Sequence, residues 1–548
     1  MTGYRQIGRV WAGAALALLG ACFTIGPANA DTGSAPRVAT SEGAVEGTSE
    51  EGIVTFKGIR YAAPPVGKRR WTPPAPAEPW EGVRSADSFG PGCIQPEVPA
   101  TSIYNDPPPS QSEDCLNLNI WAPADAQGAP VIVWIHGGSL RIGANSLKLY
   151  DGREFARRGI VFVSINYRLG ALGWMAHRQL SAESPIGISG NYGLLDQIAA
   201  LRWVRANAAA FGGDPANVTI MGESAGALSA TYLLASPPAR GLFARAIIQS
   251  TSVRSFPELS RRANGLPSAE SIGEQALRAM GARTIADARA LNAHEVVNRT
   301  TFAGFPSQGT IDGKLLPRQL IDSFDQGEQA RVPIIVGFNG DEIRTQRVLL
   351  PKLPGSEAEY VRQIESAYGD LAPDFLRLYP AADEEVSALA ALRDGIYGWS
   401  GERLARSQAQ LGVPSYVYVF DHCYPAARAG DLCGFHASEL PFVFGNMKEG
   451  DVPQLWPLPD GAEDRALSDA MLDYWTSFAR DGIPSIAQGP AWQPYAPEEK
   501  YMLFDSKPQA RQDPFPDMFE LHEGFAAQRR SQGKSWGLAI GLGAANEP

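Results

Sequence analysis

Apolar positions along the chain fall into two kinds of pattern. Short, almost unbroken runs rich in β-branched and aromatic residues occupy 116–121, 131–135, 160–165, 218–221, 244–248, 332–336 and 416–420. Runs of this length and composition predict buried strands. Between them lie longer stretches of helical composition, clearest over 194–210. Strands alternating with helical stretches predict one mostly parallel sheet covered by helices, an α/β architecture. Residues 255–328 and 354–407 read as mostly helical lobes inserted over that sheet rather than as separate domains. The proline-crowded stretch 64–109 reads as irregular surface loops around Trp71 and Trp80. Beyond residue 522 the chain is polar or glycine-rich, so 523–548 is expected to be a loosely held tail behind a single domain over 31–522.

One short segment adds chemistry to this pattern. Gly222-Glu223-Ser224-Ala225-Gly226 stands between the run at 218–221 and a small-residue, helix-compatible stretch from 225 to 235. Strand, sharp turn and helix around G-x-S-x-G make a nucleophile elbow, the motif of α/β-hydrolases. The flanking glycines are required because neighbouring backbone passes too close to admit a Cβ. A serine hydroxyl needs a base, and the base needs an orienting acid, in the chain order Ser…Asp/Glu…His. Of six histidines, only His422, His436 and His522 follow both Ser224 and the best candidate acids. His436 lies in a loop shortly after the 416–420 strand, where such sheets place functional side chains, and is the preferred base. The same strand-end reasoning selects Asp341 or Glu342 as the acid, Asp341 also suiting a helix cap. The amide of Ala225 and donors from His136-Gly137-Gly138-Ser139, after the 131–135 strand, are expected to form an oxyanion hole.

Composition narrows the setting. With 44% apolar and 20% charged residues the chain reads as an ordinary globular protein. Its net charge of −11 argues against a nucleic-acid partner. Arg5 and Arg9 precede an apolar run over 10–25, and Ala28-Asn29-Ala30 supplies a cleavage site, so residues 1–30 read as a secretory signal. A second reading takes Leu19-Gly20-Ala21-Cys22 as a lipidation signal, with a lipid anchor on Cys22 and attachment to the outer membrane. Cleavage after Ala30, giving a secreted or periplasmic protein, is preferred. No later run is long enough for a spanning helix. The cysteines outside this segment, Cys93, Cys115, Cys423 and Cys433, suit an oxidising compartment, and the pairs Cys93–Cys115 and Cys423–Cys433 would close short local loops. Metal-ligand spacing is not present, so no metal or other cofactor is expected.

The chain as a whole resembles the type-B carboxylesterases, which include cholinesterases and bacterial para-nitrobenzyl esterases. The resemblance runs from about Val38 to Phe504. It is carried by Gly58-Ile59-Arg60-Tyr61-Ala62-Ala63-Pro64-Pro65-Val66-Gly67, by Ser112-Glu113-Asp114-Cys115-Leu116-Asn117-Leu118-Asn119-Ile120-Trp121 and by Asn191-Tyr192-Gly193-Leu194-Leu195-Asp196-Gln197. Phe211-Gly212-Gly213-Asp214-Pro215 before the elbow and His436-Ala437-Ser438-Glu439-Leu440-Pro441 complete it. The resemblance implies an α/β-hydrolase fold and hydrolysis of small-molecule carboxylic esters through an acyl-enzyme. It implies Ser224, Glu342 and His436 as the triad, Gly138, Ser139 and Ala225 as oxyanion donors, and a Cys93–Cys115 disulfide. Two positions depart from the family. Ser139 and Leu140 stand where a glycine and an aromatic are usual, and Ile343-Arg344 follows Glu342 where a small residue is usual.

Two competing readings are weaker. Non-catalytic binding members of the fold family have a broken triad, whereas all three residues are present here. Amide hydrolysis would use the same triad, and matched ester and anilide substrates separate the two. Leu140, Arg141 and Arg344 are candidate substrate contacts: either arginine could hold a carboxylate on the acyl group, or both could be solvated or paired with neighbours such as Asp341.

Overall fold

Alternation of side chains across two faces explains the centre of the molecule. The computed structural model describes residues 35–545. Eleven strands form its main sheet: β1 (Thr48–Glu50), β2 (Ile53–Arg60), β3 (Asn117–Pro123), β4 (Ala129–Ile135), β5 (Val161–Ile165), β6 (Gly213–Glu223), β7 (Arg245–Gln249), β8 (Ile334–Asn339), β9 (Ser415–Phe420), β10 (Lys500–Phe504) and β11 (Pro508–Gln512). Along β4, Val131, Val133 and Ile135 enter one apolar cluster while Ile132 and Trp134 enter the other, as the two-residue period of a strand dictates. Both sides of the strand are therefore dry, which is why the run is apolar throughout.

Helices cover both faces. Tyr192–Asn207 and Ala225–Ala235 contribute Leu194, Ile198, Leu228 and Leu233 to one cluster. Ala462–Asp481 contributes Met471, Leu472, Trp475 and Phe478 to the other. Every residue of Ala225–Ala235 is buried, so this helix has no polar face. From β4 to β10 the neighbouring strands of the central block run parallel, in the spatial order β5-β4-β6-β7-β8-β9-β10. The antiparallel strands β1, β2 and β3 close one edge and β11 the other. Of these, β3 falls on the 116–121 run read from the sequence and is buried, whereas β1, β2 and β11 lie outside the apolar runs, being short or half-exposed.

The chain moves from β4 to β5 on one side and then returns to place β6 on the other. Sheets open a crevice at the carboxyl end of strands that diverge in this way. The elbow follows β6, the Gly137-Gly138 loop follows β4, and Glu342 and His436 follow β8 and β9. Four separate segments thus converge on one end of the sheet.

Several expectations are altered. The stretch beyond Glu523 is not a loose tail: Met518–Ser531 is a helix, and Phe525, Trp536, Ile540 and Leu542 are buried. Its few apolar side chains are spaced to reach two different clusters, which outweighs its polar average composition. Trp71 is also buried, donating from its indole N–H to the Ala171 carbonyl at 2.9 Å, so the 64–109 stretch is anchored by it. The structure pairs Cys93 with Cys115 and Cys423 with Cys433. Residues 1–30 and Cys22 lie outside the described residues. Among the described residues no helix is long and apolar enough to cross a membrane.

Candidate active site

Ser224 stands at the tip of the turn with φ 56° and ψ −119°, a conformation that side-chain-bearing residues rarely adopt. Its neighbours make the turn possible. A Cβ on Gly226 would sit 1.9 Å from the Ile135 carbonyl oxygen, and one on Gly222 would sit 2.4 Å from the Gly226 carbonyl carbon. The Ser224 amide donates to the Gln249 carbonyl at 2.8 Å, which ties the elbow to the end of β7.

His436 and Glu342 meet side chain to side chain, with Nδ1 2.5 Å from Oε2. Both are buried. The other Glu342 oxygen accepts from the Asn339 amide at 2.8 Å and from the Ser250 hydroxyl at 2.6 Å, so the carboxylate cannot rotate away. Asp341, the alternative acid, faces outward and pairs with Arg344 at 2.7 Å. Arg344 also reaches Asp431 at 3.0 Å and is not among the residues lining the cavity. Two near carboxylates hold it there, as one of the two sequence readings allowed. His422 pairs with Asp464 at 2.6 Å, and His522 lies behind the site, 3.0 Å from the Tyr379 hydroxyl.

A cavity of about 1050 Å³ opens over these groups and is lined by Gly138, Ser139, Leu140, Arg141, Ser224, Ala225 and His436. Gly138, Ser139 and Leu140 all have positive φ, at 99°, 57° and 57°. A Cβ on Gly138 would lie 2.2 Å from the Ile142 carbonyl oxygen, so the loop can be this tight only with glycine there. Ser139 takes the same left-handed region without being glycine, which is the local consequence of its departure from the family pattern. Ala225 is the first residue of its helix, and its N–H has no intrahelical acceptor.

Several neighbours carry no local sequence signal. Glu223 Oε1 lies 3.2 Å from His436 Nε2, an ion-pair distance without hydrogen-bond alignment. Burial pushes the Glu223 carboxyl up to about 8. Burial would lower His436, but the negative charges of Glu223 and Glu342 outweigh it and raise the imidazole to about 9. Among the described residues no hydrogen bond joins Ser224 to His436. Tyr397, on the single π-helical turn Asp394–Gly398, places its ring 5.3 Å from the imidazole. Tyr104, on the loop between Cys93 and Cys115, approaches edge-on at 6.4 Å. Val348 and Leu538, 94% and 44% exposed, give the mouth an apolar rim.

Fold, elbow and buried His–carboxylate contact together define an α/β-hydrolase. The chain belongs to the carboxylesterase family, whose model matches residues 34–520, and it is a carboxylic ester hydrolase. It is 37% identical to a fumonisin B1 esterase of Sphingopyxis macrogoltabida over 85% of this chain and 86% of that one. It is 34% identical to a para-nitrobenzyl esterase of Bacillus subtilis, covering 87% and 96%. A solved para-nitrobenzyl esterase structure superposes with a TM-score of 0.77 at 33% identity, over 88% of this chain and 99% of that one. A carboxylesterase of Geobacillus stearothermophilus gives a TM-score of 0.74 at 34% identity, with 88% and 99% covered.

Proposed function

We propose that the protein is a secreted serine carboxylesterase working through an acyl-enzyme, with Ser224, His436 and Glu342 as its triad. The observation that carries this reading is the buried 2.5 Å contact of His436 Nδ1 with Glu342, on the same cavity wall as the elbow serine. Held in that way, the imidazole keeps its proton on Nδ1 and leaves Nε2 to take the Ser224 proton. Ser224 Oγ bonds to the ester carbonyl carbon. The carbon–alcohol bond then breaks, and His436 passes the proton to the departing alcohol. Water, deprotonated by His436, cleaves the acyl-enzyme and regenerates the serine. The amides of Gly138, Ser139 and Ala225 are the donors for the oxygen that becomes negative at each step.

The signal-like composition of residues 1–30 and the two disulfides support export to an oxidising compartment. The names of the two curated relatives point to different esters, so the physiological substrate is approached below from the cavity's own chemistry. The triad is tested by Ser224→Ala, expected to lower kcat by roughly 10⁴-fold or more with the fold intact. An organophosphate should label Ser224 in the wild type alone. Near-normal turnover by a folded Ser224→Ala protein would overturn the assignment.

A further inference from the structure

The cavity wall carries a guanidinium that the reaction described above does not use. Arg254 follows β7 and lines the same cavity as Ser224 and His436. Its backbone is fixed from both sides: the Val253 amide donates to the Ser400 hydroxyl at 2.8 Å, and the Ser255 amide donates to the Trp536 carbonyl at 3.2 Å. The side chain is half-buried, 5.5 Å from the Phe256 ring centroid, and its Nε is shielded from water with no hydrogen-bond partner.

Elsewhere among the described residues, shielded guanidinium nitrogens without a hydrogen bond belong to arginines that hold a carboxylate. These are Arg289, Arg318 and Arg403, with the carboxylate at 2.8, 3.2 and 2.5 Å. The fully buried Arg168 is paired with Asp196 at 2.7 Å. Among the described residues Arg254 has no carboxylate within 4 Å. Of the acids lining the cavity, Glu223 faces His436, and neither Asp106 nor the exposed Glu97 forms an ion pair with Arg254. A guanidinium stays charged at any working pH, and its planar fork matches a carboxylate with two parallel hydrogen bonds.

We propose that Arg254 is a specificity-determining residue that binds a carboxylate on the substrate, so that the enzyme prefers esters carrying a free carboxylate over neutral isosteres. The proposal rests on the esterase reading of the same cavity. The protein's net charge of −11 disfavours anions at long range, so such a preference has to arise locally. The carboxylate could belong to either half of the ester, and the substrates distinguish the two.

The experiment compares kcat/KM for two matched pairs. Monomethyl succinate against methyl butyrate puts the charge on the acyl side, and carboxymethyl butyrate against propyl butyrate puts it on the alcohol side. Wild type, Arg254→Ala and Arg254→Lys are run together, each normalised by active-site titration with an uncharged organophosphate. In one pair the wild type should favour the charged ester by about 10–150-fold, the value of a desolvated charge-assisted contact. That ratio should fall close to one in Arg254→Ala and be partly restored in Arg254→Lys, which a loss of structure alone would not produce. A wild-type ratio near one in both pairs, or a charged-ester preference that survives Arg254→Ala, overturns the proposal while leaving the esterase reading in place. Absence of turnover for all four esters and for para-nitrophenyl acetate would instead overturn that underlying reading.

Discussion

His436 is faced by a carboxylate at each ring nitrogen, Glu342 at Nδ1 and Glu223 at Nε2. Burial opposes its protonation, but the carboxylates override burial and raise it, while burial raises Glu223 itself. The two titrate as a pair that holds a proton at neutral pH. A general base works only when unprotonated, so kcat/KM should climb as pH rises through the ionisation of this pair. Glu223→Gln removes one negative charge that favours the imidazolium. The His436 pKa should therefore drop, and the rising limb of the pH–rate profile should move to lower pH. A limb that stayed in place or moved upward would separate Glu223 from the titration. For the acid, Glu342→Gln should lose on the order of 10³–10⁴-fold in kcat. Asp341→Asn should lose less than about fivefold, since its partner Arg344 is a partly exposed ion pair. Steady-state kinetics on the two variants decides between neighbours that strand-end reasoning alone left level. As candidates, Ser224 and Glu342 were readable because each directly follows the end of a strand, and His436 because it lies in the loop region after β9. Ser250, Tyr397 and Arg254 were not, since their relation to the site depends on segments far apart in sequence.

Elements show the same division. The parallel strands from β4 to β9 were legible because each contains a short, buried, largely apolar run. Edge strands such as β1, with every residue exposed, carry no such run. The π-helical turn Asp394–Gly398 was also unreadable: it is one extra residue of backbone slack in a helical stretch, and its effect is to turn Tyr397 toward His436. Between elements, Arg168 after β5 and Asp196 on the Tyr192–Asn207 helix form a buried bidentate pair with two contacts of 2.7 Å. The Arg168 backbone amide donates to the same carboxylate at 3.1 Å. Burying two charges is costly, and removing one alone leaves the other unpaired in a dry site. Asp196→Ala should thus destabilise the protein by about 3–5 kcal/mol, measured as a lowered midpoint in urea. A shift below about 1 kcal/mol would mean that water reaches Arg168.

For the molecule as a whole, the carboxyl-terminal segment does more than its composition implies. Trp536 packs into the central core and Ile540 and Leu542 into the lobe built from 338–397, so one short segment joins two apolar clusters. Its backbone is held at both points. The Trp536 amide donates to the Ser255 hydroxyl at 3.2 Å, and the Gly541 amide to the Tyr368 hydroxyl at 2.8 Å. Gly537 has φ 91°, and a Cβ there would lie 2.6 Å from the Val253 carbonyl oxygen, so the chain crosses directly over the loop that carries Arg254. Leu538 reaches the cavity rim from the same segment. Truncation after Ser531 should expose this apolar surface and cost several kcal/mol, at about 1.5–3 kcal/mol for each buried large side chain. It should also loosen the 252–255 loop. The expected result is a lower urea midpoint together with a loss of charged-ester preference larger than the loss of neutral-ester turnover, because the elbow and the His436–Glu342 contact rest on β6, β8 and β9 rather than on the tail. Equal losses for both ester classes would show that the tail supports the site as a whole. An unchanged midpoint would mean that its packing contributes nothing to the fold.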